Sequence, residues 1–400
     1  MSFQTAARAA GVGQTCLRRI LVAVVVVLAG LSLSCGNSSP STRTGPNHNA
    51  YVTLPADGSV LLLHIDGSTG AISVGAQTPP LENTTPTGLA LLSSKSKKFL
   101  YVANSRNDTI SIFNVASDGT LTLSGTPTPA GSGPWAAVID PSGKYLLVTN
   151  NYHSTNVSVF SIDPGSGALS EVAGSPFFAN DNPTEILITP SGKFVYVTNP
   201  SIGMVTAFTF SSSNGALSQV TGSPFFSGAG AFGVAVDGSE RYLYVANPAA
   251  SNLPSQSNIG NISGFNIEPD GPNAGALTPI PGSPFNATVG NGPTALTVDP
   301  KGEFVYAVTP GSSFSIWCFT IASANGRLVP VSGSPFSLTA GELFALIDPS
   351  GNFFYIGSSA GTGIEGYTYN SFTGAPVIIT GSPFLTGTPP TPPGKMVLSE

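Results

Sequence analysis

Charge is what this 400-residue chain has least of: 8% of its residues are Asp, Glu, Lys or Arg. Fourteen basic residues stand against 20 acidic ones. Binding to nucleic acid rests on neutralising phosphates, so an acidic chain without a long basic run excludes that partner. Histidine and cysteine occur three times each. Cys16 and Cys35 lie near the N-terminus and Cys318 stands alone in an apolar stretch. That set builds neither a disulfide framework nor a thiolate metal site, and no other metal-ligand cluster is visible. No metal or cofactor is expected. Long apolar runs are missing too: the longest, residues 20–33, is too short to span a bilayer comfortably as a helix. Glycine (47) and proline (35) are plentiful instead, beside 41% hydrophobic residues. That balance suits many short strands joined by tight turns.

The N-terminus reads as an export signal. Arg8, Arg18 and Arg19 flank the apolar run, which ends in Leu31-Ser32-Leu33-Ser34-Cys35-Gly36. The order is that of a bacterial lipoprotein cleavage box, in which Cys35 becomes the acylated first residue. An ordinary cleaved signal or an uncleaved anchor are the alternatives. Residues 1–34 are thus expected to be signal peptide, and residues 35–48 the lipidated cysteine with a flexible Ser/Asn/Thr/Pro tether. Residues 49–400 remain for the folded body, as a periplasmic or cell-surface lipoprotein held to a membrane. Removing the signal leaves 11 basic against 20 acidic residues.

A repeated phrase orders that body. Gly-Ser-Pro-Phe begins at Gly174, Gly222, Gly282, Gly333 and Gly381, with worn copies at Gly125 and Gly75. The gaps from Gly75 onward are 50, 49, 48, 60, 51 and 48 residues. A period near 50 marks a structural repeat, and 400 residues exceed what one hydrophobic core usually supports. In one unit the first strand is expected at 136–139, followed by the turn Asp140-Pro141-Ser142-Gly143. The second, third and fourth strands follow at 144–149, 156–162 and 169–173. The second strand recurs as Tyr101-Val102-Ala103-Asn104, Leu147-Val148-Thr149-Asn150, Tyr196-Val197-Thr198-Asn199 and Tyr244-Val245-Ala246-Asn247. Apolar residues on both its faces imply sheets packed face to face around an axis. The closing Asn residues are expected to bond their own backbone and start the turn. Residues 49–75 hold a second, third and fourth strand without a first, whereas 392–400 look like a first strand alone. Together they complete a seventh sheet, so an all-β propeller of seven four-stranded antiparallel blades is expected, closed by both termini and monomeric.

The Tyr-Val-Thr-Asn strands, the Asp-Pro-Ser-Gly-Lys turns and the Gly-Ala-Leu-Ser turns resemble the lactonase-type seven-bladed propellers. That group includes propeller-type 6-phosphogluconolactonases, carboxy-muconate cyclases and surface proteins with Tyr-Val-Thr-Asn repeats. The resemblance spans residues 49–400 and is specific for fold rather than activity. It implies histidines where the first strands begin. The matching positions here are Thr87, Trp135, Thr184, Phe232, Thr294, Leu343 and Pro393, none of them histidine. No family catalytic residue carries over.

The first-strand starts and the loops between second and third strands share one face, at the channel mouth. Glu185, Glu342 and Lys395 bring charge there, and Arg106, Tyr152, His153 and the insertion 248–260 stand in the loops. Trp135 and Phe232 add apolar or sugar-stacking surface. Glu185 with His153 is the one conceivable general-base pair, though two unrelated polar residues is the plainer reading. Seven of the eleven basic residues sit at turns on the opposite face, which leaves no cationic clamp for a phosphosugar. The expectation is a binding or interaction module for a small molecule, sugar or protein, with a lactone hydrolase or a surface-layer protein as alternatives.

Overall fold

The computed structural model describes residues 47–399 apart from 94–96, 153–154, 249–259, 288–291, 311–314, 339–341, 359–362 and 388–391. The expected signal, Cys35, His153 and most of the 248–260 insertion therefore lie outside the described residues, as do the side chains of Glu342 and Leu343. Lys95 does too.

The described residues form seven antiparallel sheets and no helix. Numbered along the chain, blade 1 combines residues 48–77 with 396–398, and blades 2 to 7 begin at residues 86, 134, 186, 234, 295 and 342. In blade 3 the four strands are Pro134–Ile139, Tyr145–Asn150, Asn156–Ile162 and Leu169–Glu171, within a few residues of expectation. Burial rises and then falls along the radius. First strands are part-exposed, the second strand Tyr145–Asn150 is buried throughout, and the fourth is exposed at two of three positions. Alternation is absent from the second strands because each is sandwiched between neighbouring blades. Hydrophobic clusters accordingly join adjacent blades, including blade 7 to blade 1 through Phe353, Tyr355 and Leu63.

The termini close the ring as the sequence implied. Met396–Leu398 pairs antiparallel with His48–Leu54, matching Ala50 to Leu398 and Val52 to Met396. His48 pairs with Ile65 in that same strand, so it belongs to the fold rather than to the tether.

Two repeated devices lock the blades, and the sequence reading missed both. The first joins neighbours. The Tyr51 hydroxyl donates to the Gly119 carbonyl one blade on, at 2.8 Å. Tyr101, Tyr196, Tyr244 and Tyr306 donate likewise to Gly167, Gly275, Gly326 and Gly374. Tyr355 reaches Gly70 at 3.0 Å and so seals the last blade to the first. Only Leu147, which has no hydroxyl, interrupts the series. The glycines are required for space: at Gly374 (φ 70°) an added Cβ would lie 2.5 Å from the Phe304 ring. Burial, with Asp118 nearby, pushes the Tyr51 phenol up to about 12.

The second device explains Gly-Ser-Pro-Phe. The outermost strand is broken there: after Leu169–Glu171, pairing resumes at Phe177–Phe178. Across the gap the Ser175 hydroxyl accepts the Val159 N–H at 2.9 Å, satisfying a donor that the broken ladder abandons. Ser223, Ser283, Ser334 and Ser382 accept from Ala207, Gly264, Cys318 and Gly366 in the same way. All five Ser–Pro bonds are cis, and each phenylalanine turns inward against a blade seam. Short, interrupted outer strands also leave little free edge for another chain to pair with.

Candidate functional site

Asp-Pro-x-Gly turns in blades 3, 6 and 7 join the first strand to the second at the end away from the mouth. Asp140 accepts from the backbone N–H of Ser142, Lys144 and Tyr145, and Asp299 and Asp348 repeat the arrangement. At the far end the repeated threonine of the second strand takes over. Thr149 accepts from Ala136 N–H in its own blade and donates to the Thr184 carbonyl in the next (2.7 Å). Thr198 accepts from Glu185 N–H and donates to the Phe232 carbonyl. The first-strand starts of blades 3, 4 and 5 are thereby pinned to one another at the mouth.

The closing asparagines do something other than expected. Asn104 donates across the hairpin to the Thr109 and Ser111 hydroxyls, and Asn150 to Asn156 and Ser158. Asn199 reaches the Ala179 and Asp181 carbonyls, and Asn247 reaches Ser227, Asn261 and Ser263. They are buried ties between strands and loops, because a polar side chain enclosed by three elements finds partners across them before its own backbone.

A cavity of about 410 Å³ opens at the mouth. Trp135 and Phe232 wall it with Pro55 and Pro310, while Thr85, Thr87, Ser105 and Thr294 add hydroxyls. Glu185 and Lys395 form its floor. Below them lies a second space of about 200 Å³, lined by Leu89, Ile186, Phe344, Leu346 and Met396. The two charged residues border both cavities. They come from blades 4 and 1, on opposite sides of the ring, and form an ion pair across the channel between Lys395 Nζ and Glu185 Oε1. Both are held by the same device, since Lys395 N–H donates to Thr53 Oγ1 (2.8 Å) as Glu185 N–H does to Thr198. At the corresponding place in blades 2, 3, 5 and 6 stand Gly88, Ala136, Gly233 and Ala295. An added Cβ on Gly88 would lie 2.5 Å from the Trp135 carbonyl. Small residues there let adjacent first strands approach and leave room for the two long side chains.

Of the residues singled out from the sequence, Trp135, Glu185, Phe232 and Lys395 therefore share one cavity. Thr87 and Thr294 join them, and Gly394 rather than Pro393 takes the blade 1 position. Arg106 is exposed in the loop beside Ser105, and Tyr152 is 65% exposed outside the lining. Among the described residues Glu185 pairs with Lys395, and its pairing with His153 falls outside them. Spacing held no signal for that pair, whose members stand 210 residues apart. Among the described residues no group of three or more His, Cys, Asp or Glu could hold a metal ion.

Comparison with known proteins agrees on architecture. Residues 43–177 match the family model described as Lactonase, 7-bladed beta-propeller. A 6-phosphogluconolactonase of Formosa agariphila is 39% identical over 82 residues, which span 20% of this chain and 23% of that relative. The periplasmic gluconolactonase of Pseudomonas aeruginosa superposes with a TM-score of 0.69 at 15% identity, covering 89% of this chain and 99% of the other. A candidate 6-phosphogluconolactonase of Bacteroides fragilis gives 0.70 at 18% identity, covering 91% and 100%. At such identities the likeness to solved structures is one of fold. The resemblance carried by the Tyr-Val-Thr-Asn strands is the same one these comparisons return.

Proposed function

We propose that this lactonase-type propeller is an exported lipoprotein, anchored through Cys35, that binds a small molecule at the channel mouth without turning it over. One observation carries the reading. The mouth cavity brings two aromatic walls over a single ion pair, and its only carboxylate among the described lining residues is bound to an ammonium. A general base needs a free lone pair within reach of the water it activates. Glu185 held by Lys395 is poorly disposed for that, whereas a rigid aromatic cleft with a few polar groups is the ordinary form of a small-molecule site. The absence of histidine from the first-strand starts supports the same view.

The second reading is a lactone hydrolase, favoured by the family model and by the gluconolactonase and 6-phosphogluconolactonase relatives. Water would attack the lactone carbonyl, the acyl C–O bond would break, and the ring oxygen would leave as an alcohol carrying the proton. Among the described lining residues Lys395 is the one cation placed to face a developing oxyanion. A phosphorylated substrate fits poorly, because that cation is already neutralised. Titrating the purified protein against sugar and aromatic lactones decides between the two. Binding without turnover is expected, and turnover lost in Glu185→Gln would establish the hydrolase instead. Anchoring is tested separately: Cys35→Ala should move the protein from the membrane to the soluble fraction, and unchanged fractionation refutes lipidation.

A further inference from the structure

We infer that the Glu185–Lys395 pair is the specificity element of the mouth cavity and restricts it to uncharged, hydroxyl-bearing rings. The inference rests on the mouth being the ligand site and adds which ligands it admits. Two charges line the cavity, and they cancel. Its other lining side chains are aromatic, aliphatic or hydroxyl-bearing. An anionic ligand reaching the floor meets Lys395 and Glu185 together, so attraction to one is offset by repulsion from the other. It still loses its own hydration on entering an apolar cleft. A cation meets the same balance with the signs exchanged. A neutral ring loses far less.

The pair also offers hydrogen bonds that such a ring completes. An ammonium has three donors, and Lys395 Nζ uses one of them on Glu185 Oε1. Among the described residues the Glu185 carboxylate is met only by Lys395, at Oε1, which leaves Oε2 open. The floor thus presents one vacant acceptor beside vacant donors. Adjacent hydroxyls match this arrangement, one donating to Glu185 and the other accepting from Lys395, while the ring's C–H face lies against Trp135 or Phe232. The side chains of Lys395 and Glu185 are 28% and 19% exposed, so both remain reachable from the mouth. A volume of about 410 Å³ falls in the range of ordinary small-molecule sites.

A matched pair of probes tests this by calorimetry on the full-length protein in mild detergent. Phenyl β-D-glucopyranoside and phenyl β-D-glucuronide differ only in a hydroxymethyl group against a carboxylate. The wild type should bind the glucoside at least about tenfold more tightly than the glucuronide. Glu185→Gln uncovers Lys395 while keeping its shape, and should erase or invert that preference. Lys395→Met should deepen it. Equal binding of both probes by the wild type, or an unchanged preference in Glu185→Gln, overturns the specificity role while leaving the mouth as the site. Binding of neither probe, or binding that Trp135→Ala leaves intact, overturns both. Circular dichroism of each variant establishes that it is folded.

Discussion

The second strands and the first strands of the same seven blades have been shaped in opposite ways. Six of seven second strands carry the buried tyrosine that bonds a neighbour's glycine carbonyl, and each interface around the ring repeats nearly the same contacts. The first-strand starts vary far more: Thr87, Thr184 and Thr294 share a residue, but Trp135, Phe232, Leu343 and Gly394 occupy the other equivalent places. Both layers derive from one repeat, so the contrast reflects what each position must do. A second strand is enclosed by two sheets, and its packing tolerates little change. A first-strand start needs only its backbone bonds, which the second-strand backbone and, in blades 1, 3 and 4, a threonine satisfy, and its side chain is free to meet a ligand. Stability and recognition are therefore divided by radius.

Deleting residues 392–400 attacks the contrast hardest, because that segment belongs to both layers. It removes the strand paired to Ala50–Val52 and also Lys395. The expected outcome is no folded monomer, seen by size exclusion and circular dichroism, since an open sheet edge and a broken ring remain. A soluble monomer with native spectra would show that blade 1 stands without its innermost strand.

Next in size is Asp299→Ala at the turn opposite the mouth. The Asp299 side chain is almost fully buried and accepts from the N–H groups of Lys301, Glu303 and Phe304. Leaving those donors unmet should lower stability by roughly 3 kcal/mol in chemical denaturation. Removing one seam bond is milder: Tyr306→Phe should cost about 1 kcal/mol, because the Gly374 carbonyl loses its hydroxyl donor and keeps only the weak Cys318 thiol donor. Neither should alter binding at the mouth. A change in affinity from either would mean that the layers are coupled.

Alkali addresses all six tyrosine seams together. Burial, with a nearby Asp, raises the Tyr51 phenol to about 12, and burial raises those of Tyr101, Tyr196, Tyr244, Tyr306 and Tyr355 as well. A phenol whose folded pKa exceeds its unfolded value of about 10 stabilises the fold in full below that value and loses the contribution as pH rises through the folded pKa. The protein should hold its stability to about pH 10 and lose it between 10 and 12, with phenolate absorbance appearing as unfolding proceeds. Phenolate signal from more than five of the 11 tyrosines in a protein still folded at pH 11 would contradict the seam assignment, because five lie outside the seams.

How much of this was legible in sequence follows the same division. The blade count and the closure by both termini could be read because a fixed period and two complementary fragments are local signals. The positions of Trp135, Glu185, Phe232 and Lys395 could be read because a place in the repeat is a place on the ring. What escaped was contact between units. Tyr306 and Gly374 are 68 residues apart, and each looked like an ordinary strand or turn residue. Their recurrence in matching registers was the available signal. The asparagines depart from local turn chemistry for a related reason, since enclosure by the third strand and a loop decides their partners. The Gly-Ser-Pro-Phe phrase is plain in the sequence, yet its serine's part in mending a broken ladder depends on the third strand beside it.

The smallest effect on stability should come from the most conspicuous charge contact. Lys395→Met removes an ion pair whose members remain partly exposed, and such pairs contribute about 0–1 kcal/mol. The methionine stem retains most of the lysine's packing against the channel wall, and the backbone bond to Thr53 is untouched. Denaturation should shift by less than about 1 kcal/mol while discrimination between neutral and anionic probes changes several-fold. A loss near that expected for Asp299→Ala would instead make the pair a structural strut spanning the ring. Recognition would then no longer be confined to the inner radius, because blades 1 and 4 would depend on it for their alignment.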